Sequence, residues 1–175
     1  MLIVCTTQGC ISDNEPKGPS LKVGDPLPVF SVEMNDGSVV SNETLRGKVA
    51  LIIFFNTDCG DCRKEFPVVQ KIWDTYKDSS MVRIVPIARE ETEEEISQYW
   101  EKEGFTMPYS PQPNRDVYSL FAQSVIPRIY IASPDGIITA AFGDQDMPDY
   151  HSLVEAINAA DTTEEPQVIP GTENF

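Results

Sequence analysis

Apolar residues follow two different spacings along this chain, and the spacings predict its strands and helices. All seven residues of 49–55 are apolar, which is typical of a strand that is covered on both faces at the centre of a sheet. Shorter runs predict further strands at 29–33, 38–40, 82–87, 127–132 and 137–142. Asn35-Asp36-Gly37 separates the first two short runs, and Asp-Gly in that place indicates a hairpin.

The helical segments show a one-sided apolar stripe. After Cys62, apolar side chains recur at spacings of three and four: Phe66, Val69, Ile72, Trp73 and Tyr76. Thr92 and Glu95 have the capping-box spacing that begins a second helix. Further helices are predicted at 117–123 and 150–160. The resulting order predicts an α/β domain with a mixed sheet and helices on its faces.

Composition limits the classes of function. The chain has 175 residues, of which 41% are hydrophobic, and this is enough for one domain with its own core. Its net charge of −15 would repel a phosphate backbone, so nucleic acid is not an expected partner. No apolar run is long enough to cross a bilayer.

Both ends of the chain are expected to lie outside the folded unit, which is assigned to residues 21–160. Residues 161–175 are predicted to form a flexible acidic tail, and residues 1–20 a signal remnant with a polar tether. Gly9-Cys10 resembles the end of a bacterial lipoprotein signal, with Cys10 as the lipidated residue. The alternative is a disordered cytosolic N-terminus in which Cys5 and Cys10 are incidental.

The main candidate for chemistry is the pair Cys59 and Cys62, between the apolar strand and the striped helix. A helix N-terminus stabilises a thiolate, which is the reactive form of cysteine. Cys59 would attack a disulfide and Cys62 would resolve the mixed disulfide. Glu65 lies on the same helix face as Cys62 and could move its proton, although an ordinary surface glutamate remains the alternative. Pro127 begins a strand, and a cis Ile126–Pro127 bond would let the backbone approach the sulfurs.

Five segments resemble the TlpA/ResA-like thiol-disulfide oxidoreductases, which border the peroxiredoxin-type AhpC/TSA group. They are VGDPLP at 23–28, LRGKV at 45–49, CGDCRKEFP at 59–67, VIPRIYI at 125–131 and DG at 135–136. Their order and spacing agree over nearly the whole domain.

The resemblance implies a thioredoxin-like fold with a central mixed sheet, flanking helices and an N-terminal β-hairpin extension. It implies that Glu65 is the active-site glutamate and that Ile126 and Pro127, with a cis bond, contact the substrate. It further implies disulfide exchange with protein substrates, an upstream thiol-disulfide electron donor, and a periplasmic or envelope-anchored location. No cofactor or metal is expected.

Three positions depart from the relatives. Asp58 replaces the usual tryptophan, Asp61 replaces the frequent proline, and Ile53 stands where thioredoxin has a buried acid. Because Asp58 and Asp61 place negative charge beside Cys59, they are expected to modulate it and to oppose the helix dipole. We therefore expect a Cys59 pKa nearer neutral or above than the very acidic values of strong oxidants, and a reducing couple.

Three other interpretations compete with disulfide exchange. A peroxiredoxin needs Pro-x-x-x-Thr-x-x-Cys, but Ile52 and Asn56 occupy those places before Cys59. A structural zinc site needs four ligands, and the chain offers one suitable cysteine pair and His151. A binding module of the same fold could keep a permanent Cys59–Cys62 disulfide without turnover. Redox titration distinguishes this module from an enzyme.

Overall fold

The computed structural model describes residues 20–161. The proposed lipidation site Cys10, the tether before residue 20 and the acidic tail after Asp161 lie outside the described residues. Assignments made for those segments remain predictions.

Six strands and five helices make up the described part of the chain. The strands are β1 (Ser31–Glu33), β2 (Val39–Ser41), β3 (Val49–Phe55), β4 (Val82–Ala88), β5 (Arg128–Ala132) and β6 (Ile138–Phe142). The helices are α1 (Asn42–Leu45), α2 (Gly60–Tyr76), α3 (Glu93–Glu103), α4 (Asp116–Phe121) and α5 (Tyr150–Asp161). Within residues 20–161, no helix has both the length and the apolar character that crossing a membrane requires.

The main sheet has four strands in the order β4-β3-β5-β6. Strand β3 runs parallel to β4 and antiparallel to β5, and β5 is antiparallel to β6. Every residue of β3 is buried, because neighbouring strands cover its edges and helices cover its faces. The prediction of a mixed sheet around a central apolar strand is confirmed.

The predicted N-terminal hairpin is also confirmed. Strands β1 and β2 pair antiparallel in a sheet of their own, with Val32 opposite Val40. Gly37 in the connecting turn has a φ of 80°, a conformation that favours glycine. Helix α1 was not predicted, since its four residues are too few to show a periodicity. The hydroxyl of Ser41 caps it by accepting a hydrogen bond from the backbone of Thr44.

Two consecutive aromatic residues at the end of β3 anchor both faces of the sheet. The ring of Phe55 packs against Phe66 of α2 and Trp100 of α3, with centroids 5.2 Å apart in each case. Phe54 points to the opposite face, because side chains alternate along a strand. It packs against Tyr118 and Phe121 of α4 at 5.4 and 4.9 Å. Both layers therefore meet at the carboxyl end of β3, where the two cysteines follow.

Candidate active site

The two cysteines lie where the chain leaves β3 and enters α2. Cys59 is the N-cap residue of α2, in extended backbone conformation, and Cys62 lies in the first turn. Both are free thiols. The predicted arrangement of strand, cysteine pair and helix is thus present, with one sulfur at the helix end and the other inside the first turn.

Cys59 is partly exposed and surrounded by hydrogen-bonding groups. Its Sγ donates to the backbone oxygen of Ile126 at 3.5 Å. Its pKa is lowered to about 6, mainly by the hydrogen bond from the Cys62 thiol. Burial opposes this shift, and the backbone N–H groups of Cys62 and Asp61 add to it. The thiolate of Cys59 is therefore well populated at neutral pH.

Cys62 has the opposite environment. Its side chain is fully buried, and burial raises its pKa far above the ordinary range for a thiol, with a further contribution from the hydrogen bond to Cys59. The backbone N–H of Asn56 and the charge of Arg89 partly offset the increase. Cys62 thus remains protonated in the reduced protein and serves as a hydrogen-bond donor to Cys59.

Glu65 is buried one helical turn after Cys62. Only 2% of its surface is exposed, and its Oε1 has no hydrogen-bond partner among residues 20–161. Burial raises the pKa of this carboxyl to about 7. The alternative of an ordinary surface glutamate is therefore wrong.

The loop before β5 completes the site. The Ile126–Pro127 peptide bond is cis, as the resemblance implied. Val125, just before it, accepts a hydrogen bond from the hydroxyl of Tyr118 at 2.7 Å. This contact ties the loop to α4 and places the Ile126 carbonyl beside the Cys59 sulfur.

Asp58 and Asp61 each pair with a cation of α2. Asp58 pairs with Arg63 at 3.2 Å and Asp61 pairs with Lys64 at 2.7 Å. The charge of Asp61 does raise the Cys59 pKa, but this is the smallest of the contributing interactions, and Asp58 is not among them. The modulating role of both carboxylates remains a prediction, and we expect its size to be limited because cations of α2 lie beside both and Asp58 is largely exposed to solvent.

The sequence that forms this site also matches the model of a known family. Residues 23–141 match the AhpC/TSA family, which is more than half of the chain. The chain belongs to the AhpC/TSA family.

The chain is also similar to proteins that are named as thiol-disulfide oxidoreductases or interchange proteins. Thiol-disulfide oxidoreductase ResA of Oceanobacillus iheyensis is 28% identical over 142 residues, covering 79% of this chain and 73% of that protein. The solved thioredoxin domain of a thiol-disulfide oxidoreductase from Bacteroides vulgatus is 25% identical, with a TM-score of 0.66 over 79% of this chain and 100% of that one. A thioredoxin-family thiol:disulfide interchange protein from Chlorobium tepidum shares the fold, with a TM-score of 0.67 at 22% identity over 81% of this chain and 99% of that one.

These similarities confirm two expectations. The fold is thioredoxin-like, with the four-stranded mixed sheet and the N-terminal hairpin. This AhpC/TSA-family protein is a thiol-disulfide oxidoreductase, since its relatives carry that activity and its own Cys59 and Cys62 are in contact. Among residues 20–161, no three His, Cys, Asp or Glu side chains are grouped so that they could hold a metal ion.

Sequence reasoning missed one part of this AhpC/TSA-family site. Glu91, only 4% exposed, follows β4 and accepts hydrogen bonds from the backbone N–H and the hydroxyl of Thr57, two residues before Cys59. The two residues are 34 positions apart, so no local motif joins them. The available signal was the parallel pairing of β3 and β4, which brings the chain segments after Phe55 and Ala88 together.

Proposed function

We propose that this protein reduces disulfides of other proteins in the bacterial cell envelope, with Cys59 as the nucleophile and Cys62 as the resolving thiol. The contrast between the two sulfurs supports the proposal most directly. One is partly exposed with its pKa lowered to about 6, and the other is buried with its pKa raised. Such a pair forms an attacking thiolate and a protonated partner at the same pH.

The first step forms a mixed disulfide. The Cys59 thiolate attacks one sulfur of the substrate disulfide, and the bond between the two substrate sulfurs breaks. The second substrate sulfur leaves with the electron pair and takes a proton from water. We assign contacts with an extended segment of substrate to Pro127 and to the backbone oxygen of Ile126, which lies beside Cys59.

The second step releases the substrate. Cys62 loses its proton and attacks the Cys59 sulfur, so that the Cys59–Cys62 disulfide forms and the first substrate sulfur leaves as a thiolate. We assign the proton to the Glu65 carboxylate, which is on the same face of α2 and has a pKa of about 7. The substrate gains two electrons and the protein loses two. An upstream dithiol then restores the reduced pair.

The reducing direction is supported by the moderate stabilisation of the Cys59 thiolate. Strong oxidants of this fold have nucleophiles with a pKa of roughly 3.5, whereas that of Cys59 is about 6. Because the reduced form gains less from its thiolate, the disulfide form is relatively more favourable. Asp61 acts in the same direction. Location in the envelope is supported by Gly9-Cys10, at which a lipid anchor would be attached.

Trapping the partner tests the proposal. In Cys62→Ser the second step is blocked, so substrate proteins should accumulate as mixed disulfides on Cys59 and be released by dithiothreitol. The double variant Cys59→Ser, Cys62→Ser is the matched control and should trap nothing. In vitro, the wild-type protein should reduce insulin with dithiothreitol as donor, and either single variant should lose at least about a hundredfold in rate.

The redox-inactive binding module predicts the opposite results. It would trap no partner in cells, reduce no insulin and show no equilibrium with added dithiols. The partly exposed sulfur of Cys59 favours the enzyme, because a purely structural disulfide gains nothing from an accessible sulfur atom.

A further inference from the structure

Thr57 is held at all three of its polar groups, although it contacts neither sulfur. Its N–H donates to both carboxylate oxygens of Glu91, at 2.9 and 3.2 Å, and its hydroxyl donates to Glu91 Oε1. Its carbonyl accepts a hydrogen bond from Nε of Arg63. Thr57 is itself buried. These hydrogen bonds fix the position and orientation of the Thr57 peptide, two residues before Cys59.

The position of Glu91 is fixed by hydrogen bonds of its own backbone. Its backbone pairs with Gln112 in both directions, with N–O distances of 2.9 and 3.2 Å. Its side chain is buried, and two donor groups of Thr57 face the carboxyl oxygens: the N–H is shared between both oxygens, and the hydroxyl donates to Oε1. Burial of a carboxylate costs free energy unless such donors compensate it. The carboxylate and the Thr57 peptide thus stabilise each other.

The same peptide determines where α2 begins. Asn56 and Asp58, on either side of Thr57, are joined by a hydrogen bond from the Asp58 N–H to Asn56 Oδ1 at 2.9 Å. The Asn56 N–H points to the sulfur of Cys62. The next turn directs the N–H groups of Asp61 and Cys62 towards the sulfur of Cys59. Movement of Thr57 would therefore misalign the donors of both sulfurs.

We propose that Glu91 is a positioning residue of the exchange site, which holds the Thr57 peptide so that the first turn of α2 presents its N–H groups to the Cys59 sulfur. This inference rests on the proposed role of Cys59 as nucleophile and adds a residue from a distant segment. Glu91 exchanges no proton and contacts no substrate. It acts through Thr57.

The test compares Thr57→Val with Thr57→Ser. Valine keeps the volume of threonine and the backbone N–H that donates to Glu91, but it lacks the hydroxyl donor. The Thr57 peptide is then held less firmly, so the apparent pKa of Cys59 should rise, and alkylation by iodoacetamide at pH 6.5 should slow about three- to tenfold. The equilibrium constant with glutathione should shift towards the disulfide by the same factor, or about 15–30 mV. Thr57→Ser keeps the hydroxyl and should retain wild-type values.

Two further variants make the result decisive. Glu91→Gln replaces one acceptor oxygen by a donor and should change the alkylation profile in the same direction as Thr57→Val. Thr92→Val removes a hydroxyl from the adjacent residue, whose partner is Glu95 rather than Thr57, and should leave the Cys59 profile unchanged. Circular dichroism establishes that each variant is folded.

The inference is overturned when folded Thr57→Val and Glu91→Gln proteins both keep the wild-type pH profile and redox potential. It is also overturned when Thr92→Val shifts them equally, since the effect would then be one of general stability. Alkylation does not require exchange activity. Loss of insulin reduction in the wild type would therefore contradict the proposed function alone, and an unchanged profile would contradict this inference alone.

Discussion

Two buried glutamates lie on either side of the cysteine pair, and their surroundings differ completely. Glu65 is 2% exposed and its Oε1 has no hydrogen-bond partner within the described residues. Glu91 is 4% exposed and receives three hydrogen bonds from Thr57. Burial raises the pKa of each, and at Glu91 the hydrogen bonds from Thr57 offset only part of the increase. The two carboxyl groups are therefore buried to a similar extent, but hydrogen bonds from Thr57 offset the cost of burial only at Glu91.

This difference in hydrogen bonding distinguishes a structural role of a buried carboxyl group from a role in proton transfer. A carboxyl group that accepts hydrogen bonds at both oxygens from one peptide can hold that stretch of backbone in place. A carboxyl without donors changes its protonation near neutral pH and can move a proton. The burial of the side chain does not distinguish these uses, whereas the hydrogen bonds do.

The largest expected effect comes from replacing each acid by leucine. At pH 8, Glu65→Leu should raise the free energy of unfolding by about 1–3 kcal/mol, because an uncompensated charge is removed from the core. Glu91→Leu should lower it by about 2–4 kcal/mol, because the donors of Thr57 lose their acceptor. Urea denaturation of the reduced proteins measures both changes.

Stability changes of the same sign in both variants would contradict the distinction between the two glutamates. If both variants are destabilised alike, the unpaired Oε1 of Glu65 within residues 20–161 has no energetic consequence. The Glu65→Leu protein should nevertheless be slow in insulin reduction, because the group assigned to the proton of Cys62 is gone.

A smaller effect appears in the pH dependence of stability. The folded protein binds the Glu65 proton more tightly than the unfolded chain, since the pKa is about 7 rather than 4.5. Stability contributed by the protonated carboxyl is therefore present below pH 4.5 and is lost as the pH rises through 7. Between pH 4.5 and pH 7, the free energy of unfolding of the wild type should fall by up to about 3 kcal/mol relative to that of Glu65→Gln.

Urea titrations of both proteins at a series of pH values measure this difference. A constant offset between wild type and Glu65→Gln from pH 4 to pH 8 would show that Glu65 has an ordinary pKa. A difference that grows with pH and levels above pH 8 is the expected result.

The smallest effect concerns the exposed acids next to Cys59. Asp61→Asn should lower the Cys59 pKa by less than about half a pH unit, because solvent and Lys64 already compensate most of the charge. Asp58→Asn should have a smaller effect. Alkylation rates of Cys59 between pH 4 and pH 9 provide the measurement. A larger change in Asp58→Asn would reverse the ranking of the two carboxylates.

Most of the fold could be predicted because local rules determine it. The apolar residues of β3, the Asp36-Gly37 turn and the capping box of Thr92 with Glu95 each specify a local conformation, and each is present. Helix α1 was missed because its four residues depend on a single cap at Ser41.

The site was less predictable, because its energetics depend on contacts between distant segments. The spacing of Cys62 and Glu65 places them on one helix face, but it does not say that Oε1 of Glu65 has no hydrogen-bond partner within residues 20–161. Lys64, three residues after Asp61, could have indicated the ion pair that the structure shows. Glu91 had no local signal, since it reaches Thr57 only through the pairing of β3 with β4.

The hydrogen bond from Cys59 to the backbone oxygen of Ile126 has a consequence for the order of events. A thiol can make this bond, but a thiolate has no hydrogen to donate. Loss of the proton therefore creates the nucleophile and, at the same moment, leaves the Ile126 oxygen available to an N–H group of an arriving chain. Deprotonation of Cys59 therefore makes the sulfur reactive and makes the Ile126 oxygen available for substrate binding in the same step.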